Sequence, residues 1–578
     1  MRNYEVASIL SKIAIFLEMD NVQFKPRAYE KAARSIEALE EEVEEIYKKG
    51  GLEALMEIPA VGQSIAEKIQ EMITTGKLEY YETLKKKIPV DLDSLSGIEG
   101  LGPKKIKMLW EDLKIRNIED LEQACISHKV CKLPGFQEKT EQNLLKGIDF
   151  AKRSKNRYVL GFTLPFIREI ENRLRLFPGV RKAFVAGSVR RMKETIGDAD
   201  FLVVSDNPKK VMNFFVSMPE VASIIGEGET KTSVKLNTGM QIDVRVVPEQ
   251  SFGAAMQYFT GSKDHNIALR RIAQAKGWKL SEYGLFKGGG EALAGEDENL
   301  VYKKLGLQWI PPELRENMGE VELASQGKLP RLVDYNDLKG DLQVHSNWTD
   351  GSNTIEEMAL EAKKIGLEYI VMSDHSKSLA MTGGMNEKML LKQGKEIEKL
   401  NQKIDGIEIL KGVELNILKD GSLDIEDKVL EDMDVVGASI HSHFNMDKDD
   451  MTKRVLRAIE NPNVDILYHP TSRQIQRREP VQLDIERIFQ AAKDTGTILD
   501  IDSYPDRLDL RDEHIKKAIE IGAKLGVSSD SHTKINYHYL ELGIGQARRG
   551  WARTENIVNT RGLKDFAKFV KSPLTLSA

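Results

Sequence analysis

A multidomain α/β chain is predicted: helical at its front, α+β in the middle and a distorted α/β barrel at its rear. Three observations carry this. Apolar residues recur at helical spacing through residues 1–150, as in Val6, Ile9, Ile13, Phe16 and Leu17. Short β-like runs begin at Ala183, with Phe201–Val204, Val234–Leu236 and Ile242–Val247 following. After residue 340, apolar runs such as Tyr369–Met372, Ile409–Val413, Val435–Ile440, Ile466–Tyr468 and Ile498–Ile501 alternate with helical stretches. That alternation is the βαβ rhythm of a parallel sheet.

Taking the elements in order, helical units are expected over 1–85 and 86–150, an α+β unit over 151–250, and a mixed unit over 251–317. The polar, turn-rich stretch 318–338 reads as a linker, and 339–578 as the barrel. A length of 578 residues demands several cores. No apolar run approaches the length of a membrane span, and the start lacks the apolar block of a signal peptide. Cys125 and Cys131 read as reduced thiols, so a cytoplasmic setting is expected, and the chain is expected to be a monomer without membrane contact. The net charge of −6 argues mildly against nucleic acid, but acidic metal ligands are neutralised by their ions.

Three segments place a glycine turn just before a helix: Ile58–Ile69, Gly97–Ile106 and Leu133–Thr140. Such a turn offers free backbone N–H groups at the positive end of a helix dipole, an anion site. The bland alternative is three ordinary helix corners, and the repetition disfavours it. The segments resemble helix-hairpin-helix motifs, which implies contact with the DNA backbone; Gly62, Gly100 and Gly102 are the turn glycines.

Residues 185–204 carry Gly187-Ser188 after a strand, Arg190-Arg191, and Asp198 and Asp200 two apart before the next strand. Residues i and i+2 of a strand share a face, so two carboxylates converge there and need cations. Asp243, between Ile242 and Val244, is the expected third. Residues 258–266 read Tyr-Phe-Thr-Gly-Ser-Lys-Asp-His-Asn. Together these segments resemble the nucleotidyltransferase palm and nucleotide-selection motif of X-family DNA polymerases. The resemblance implies Mg²⁺ on Asp198, Asp200 and Asp243. It implies triphosphate contacts from Gly187, Ser188 and Arg191, a sugar floor of Tyr258 and Phe259 beside Gly261, and a base contact from Asn266. Lys68 matches the Schiff-base lysine of the polymerase beta branch, although Ser64 stands where that branch has a second lysine. Gln241 and Lys263 also depart from that branch.

Eight of the ten histidines lie after residue 340. They occur beside acids at predicted strand ends, where barrel active sites collect. Imidazoles mixed with carboxylates suit Mn²⁺, Zn²⁺ or Fe. The pattern resembles the PHP (polymerase and histidinol phosphatase) family of phosphoesterases. That resemblance implies up to three metals, Mn²⁺ first among the choices, on His345, Asp350, His375, Glu414, His441, His469, Asp530 and His532. The family's opening His-x-His is Gln343-Val344-His345 here. Arg473, Arg477 and Arg478 are equally phosphate contacts or surface arginines.

The resemblances imply a gap-filling repair polymerase with a 3′-5′ exonuclease, acting on gapped or primer-template DNA with deoxynucleoside triphosphates. A DNA-binding scaffold with a dead polymerase is disfavoured by the three aspartates. A small-molecule phosphatase is disfavoured by the hairpins.

Overall fold

The computed structural model describes residues 3–571 and 574, except 38, 40, 99, 155, 156, 289, 380 and 381. Glu99, inside the second hairpin, is therefore outside the described residues. The front consists of helices, among them Asn3–Met19, Lys25–Glu37, Gln63–Thr75 and Pro103–Leu113. They bury one continuous apolar cluster running from Val6 to Ile148. The helical stretches on either side of residue 86 thus share a core.

The middle holds a five-stranded sheet of β1 (Val180–Val185), β2 (Asp198–Ser205), β3 (Val221–Glu227), β4 (Lys231–Leu236) and β5 (Gln241–Val246), in the order β1-β2-β5-β4-β3. Strand β2 buries Phe201 to Val204 without alternation, as a strand covered on both faces must. Strand β5 alternates, with Ile242, Val244 and Val246 buried. The two run parallel, and Asp200 lies directly opposite Asp243. A small antiparallel sheet (Trp278–Ser281, Gly284–Lys287, Ala292–Ala294) and the helices Lys263–Ala275 and Glu298–Leu305 follow.

Residues 318–338 are packed, contrary to the expected linker. They contain the helix Glu320–Ser325, whose Val321 and Ala324 join Leu332 in the preceding unit's core. Glu320 is fully buried: it accepts N–H groups from Asn317 (2.8 Å) and Met318 (2.7 Å) and lies 2.7 Å from His265 Nδ1. A six-residue helix shows too few turns for periodicity, and a buried glutamate reads as a surface residue until its partner is seen.

The rear is a ring of seven consecutive parallel strands, β6 (Gly340–Val344), β7 (Tyr369–Met372), β8 (Glu408–Asn416), β9 (Val435–Ser439), β10 (Ile466–Leu467), β11 (Ile498–Asp502) and β12 (Leu525–Ser528). A bridge between Val344 and Ser531, with His345 N–H donating to the Ser531 carbonyl at 2.8 Å, brings the last strand back to the first.

The barrel also completes the middle unit. Ile475, Leu508, Tyr539 and Leu542 lie in the same core as Leu160, Ile167 and Phe201. Arg473 bonds Glu194 (2.8 Å), and Arg549 bonds Glu316 (3.0 Å). A fragment ending at Gly319 is therefore expected to unfold or aggregate below the melting temperature of the full chain and to lose primer extension. It forfeits burial against three aliphatic side chains at about 1.5–3 kcal/mol each, and it leaves the buried His265 without Glu320. Thermal melts and extension assays check this; a fragment as stable and active as the full chain would contradict it.

Candidate active sites

The first site sits on the mixed sheet. Asp198 and Asp200 share one face of β2, and the register sets Asp243 beside Asp200. Burial, then the charges of Asp198 and Asp243, push the Asp200 carboxyl up to about 6. Burial also opposes charge on Asp243, but hydrogen bonds from Gln241, Ser233 and Lys231 outweigh it and hold that carboxyl below its ordinary value. Gln241 donates to Asp243 at 2.8 Å, and Lys231 lies 3.2 Å from it. Three convergent carboxylates, one resisting ionisation, form an all-oxygen donor set suited to a hard divalent ion. Gly187 has φ +63°, and a Cβ there would lie 3.0 Å from Asp200 Oδ2. Glycine thus keeps both the backbone conformation and the space.

Around this triad, Ser188 is the second residue of the short helix Gly187–Arg190. Arg191 donates to Glu316 (3.1 Å) and to the Thr260 carbonyl. Gly261, φ +71°, leaves room for the Arg191 guanidinium, 3.0 Å from where its Cβ would be. Tyr258 and Phe259 meet edge-on at 5.1 Å, and Arg245 covers the Phe259 ring at 4.6 Å. Asn266 is buried and donates to the Tyr258 carbonyl at 2.7 Å. At the front, Gly62 and Gly102 are extended residues capping helices Gln63–Thr75 and Pro103–Leu113, while Gly100 alone of the three has positive φ (+84°). A Cβ at any of the three would meet nothing within 4 Å, so the backbone there is open to a ligand. The Lys68 ammonium donates to the Ser64 carbonyl and hydroxyl, both at 3.0 Å, and lies 5.3 Å from the Tyr80 ring centre.

The second site lies at the C-terminal edge of the barrel strands. His345, His375, His441, His469, Asp530 and His532 each follow a strand, and Glu414 lies within β8. Glu414, fully buried, is the hub: His469 Nε2 lies 2.8 Å away, His441 Nε2 3.0 Å, His375 Nδ1 3.2 Å and His345 Nε2 3.4 Å. Asp350 approaches His532 Nε2 at 3.3 Å and His375 Nε2 at 3.7 Å. Asp530 is 3.0 Å from His345 Nε2. Three groupings draw their ligand atoms within 4.8 Å of one another: His345, Asp350, His375 and His532; His375, Glu414 and His441; and His345, Glu414 and Asp530. His469 and Asp530 hold left-handed backbone, φ 29° and 51°, the kind of strain that collects at functional sites.

Burial opposes charge on the carboxylates, but the imidazoles prevail. His375 and His441 hold Glu414 well below the usual range, and His532 and His375 do the same for Asp350. Burial pushes His375 down to about 3 and His469 down to about 4. For His345, Asp530, Glu414 and Asp350 outweigh burial and raise it to about 10. Asp350 Oδ1 and ring nitrogens of His345, His375 and His469 are buried without hydrogen-bond partners. Such orphaned donor atoms, converging with ionised carboxylates, fit metal ions.

All eight predicted ligands meet here. Gln343, in the place of the family's first histidine, is buried and donates to Glu414 at 3.1 Å. Sequence reading missed Asn416, which bonds His441 Nδ1 (2.8 Å), and Ser439, which donates to Glu414 (2.6 Å). It also missed Arg507, 3.9 Å from Asp530. Asn416 and Ser439 signalled themselves only by ending their strands, and Arg507, in the turn after Ile498–Asp502, gave no signal. Of the three equivocal arginines, Arg473 is buried against Glu194 and the Leu508 carbonyl, Arg477 faces Asp506, and Arg478 lies over Phe444.

A carboxylate triad on a mixed sheet, a polymetal-capable cluster in a parallel barrel and a hairpin-bearing helical front define a class: a nucleotidyl-transfer core joined to a phosphoesterase barrel. The DNA polymerase/3′-5′ exonuclease PolX of Bacillus subtilis (strain 168) is 38% identical over 576 residues, 99% of this chain and 100% of that protein. The chain belongs to the X family of DNA polymerases, in the branch with a C-terminal PHP domain. Residues 1–78 match the helix-hairpin-helix domain, 92–149 the SAM-like helix-hairpin-helix tandem, 255–316 the DNA polymerase beta thumb and 341–501 the PHP domain. DNA polymerase lambda of Rattus norvegicus is 27% identical over 357 residues, 54% of this chain and 56% of that one. A probable phosphatase of Thermoanaerobacter sp. (strain X514) is 34% identical over 219 residues, 36% of this chain and 84% of that protein.

Proposed function

We propose that this chain fills short gaps in DNA from a template and removes nucleotides from 3′ ends at its barrel. The observation that carries the reading is the coexistence, on one chain, of the registered Asp200–Asp243 pair and the Glu414-centred cluster. Asp198, Asp200 and Asp243 would hold Mg²⁺, with Ser188 and Arg191 on the triphosphate, Tyr258 and Phe259 beneath the sugar, and Asn266 at the base. Arg191 would then exchange Glu316 for phosphate. The hairpin turns at Gly62, Gly100 and Gly102 would hold DNA backbone, and Lys68 would be the amine for abasic-site processing. His345, Asp350, His375, Glu414, His441, His469, Asp530 and His532 would hold up to three ions, Mn²⁺ before Zn²⁺ or Fe. When bound, the ions supply Lewis-acid activation and charge neutralisation at both sites. The protein would act as a cytoplasmic monomer.

One experiment tests both halves: a 5′-labelled primer on gapped DNA, in Mg²⁺ or Mn²⁺, with and without nucleotides. Extension is expected in Mg²⁺ alone, because carboxylates and substrate phosphates satisfy a hard ion. Efficient degradation is expected to need Mn²⁺, which accepts nitrogen ligands. Degradation should fall as pH is lowered. His345, raised to about 10, must give up its proton to ligate, so metal affinity rises with pH up to that value. Equal degradation in both metals would defeat the ligand argument, and absence of extension would defeat the polymerase reading.

A further inference from the structure

The front domain leans on the rim of the barrel site, and the residues that do so are cationic. The helix Lys25–Glu37 buries Tyr29, Ala32, Ala33 and Ile36. Its other face carries Arg27, Lys31 and Arg34, four and three residues apart and so aligned along the helix. Glu30 lies exposed among them on the same helix. Arg34 Nη1 lies 3.6 Å from Asp350 Oδ2, in the His345–Asp350–His375–His532 group, and its side chain stays 47% exposed. Arg27 Nη2 approaches Gly383, in the segment after His375, to 3.1 Å from where a Cβ would lie. Three residues before Arg27, Phe24 is 87% exposed.

We infer that this helix face grips the phosphate backbone of a single-stranded 3′ end as it enters the barrel. The inference rests on the nuclease reading above. Asp350 faces Arg34 on one side and the cluster on the other, and once ions bound there draw on its charge the guanidinium beside them favours a further anion. A phosphodiester supplies that anion, and guanidinium recognises it well. Phe24 adds a flat apolar ring ahead of the cations. Cations together with an exposed aromatic suit an unpaired strand, whose base faces are free to stack, better than a duplex. The helix thereby selects which ends are degraded.

The test uses the full-length chain with Mn²⁺ and a 5′-labelled single-stranded oligonucleotide. Arg27→Ala/Arg34→Ala should raise KM about tenfold, as expected for losing one or two screened charge contacts, with the effect on KM exceeding that on kcat. Loss of two phosphate contacts should flatten the slope of log kcat/KM against log salt by about 1.4. Metal content by elemental analysis should match that of the unaltered chain. Phe24→Ala should reduce the preference for unpaired over paired 3′ ends. Unchanged KM and salt slope in the double variant would overturn the inference. So would a drop in kcat together with metal content, which would make Arg34 a support for Asp350 alone. If the unaltered chain degrades no DNA, the nuclease reading fails instead.

Discussion

Asp200→Ala is expected to abolish primer extension, by roughly a thousandfold or more in rate, while leaving 3′ degradation intact. Asp200 sits between Asp198 on its own strand and Asp243 on the parallel neighbour. The loss should be chemical, not structural. A carboxyl pushed up to about 6 by burial and like charge destabilises the fold when ionised. Ionisation of Asp200 therefore costs stability above that pH, and protonation below it relieves the cost. In metal-free buffer, Asp200→Asn should accordingly melt no lower than the unaltered chain at pH 8, and its advantage should shrink at pH 5. Asp198→Ala should also abolish extension. Extension by either alanine variant at the unaltered rate would sink the assignment of the polymerase site.

Glu414→Gln should remove degradation by a comparable factor and spare extension. Glu414 lies within 3.4 Å of four imidazoles and accepts from Gln343 and Ser439. The amide keeps the volume but removes the anion that those rings face. It also presents a donor where ring nitrogens need an acceptor or an ion, so metal affinity should fall with activity. His441→Ala and His345→Ala should act in the same direction; His441 is the milder disturbance to folding because its side chain reaches the site's edge, 10% exposed. The readouts are a 5′-labelled strand in Mn²⁺ and elemental analysis of the protein. Strong degradation by Glu414→Gln after metal stripping and Mn²⁺ resupply would place the nuclease elsewhere.

Much of both sites was legible because the ligands, Asp350 apart, lie within a strand or a few residues past its end. Asp198 and Asp200 announce themselves by two-residue spacing, and the barrel histidines by acids beside them at the ends of apolar runs. The Phe201–Val204 run of β2 was legible as a strand, while its cover on both faces is seen only in the structure. The helix Glu320–Ser325 was not, since its buried glutamate is explained only by His265, 55 residues earlier. Nor was the use of Arg473, equally a phosphate contact or a surface arginine in sequence, which is buried and bonds Glu194.

By itself, then, the sequence determined the run from helical front through mixed sheet to parallel barrel and the placing of candidate ligands near strand ends, because these depend on neighbours within a few residues. Only the tertiary structure decided that Gln343 holds Glu414, that Ile475, Leu508 and Leu542 complete the core of the middle unit, and that Arg34 faces Asp350. Those juxtapositions join residues tens to hundreds of positions apart. They arise from the closure of the barrel and the packing of whole units, where the local period of the chain carries no information.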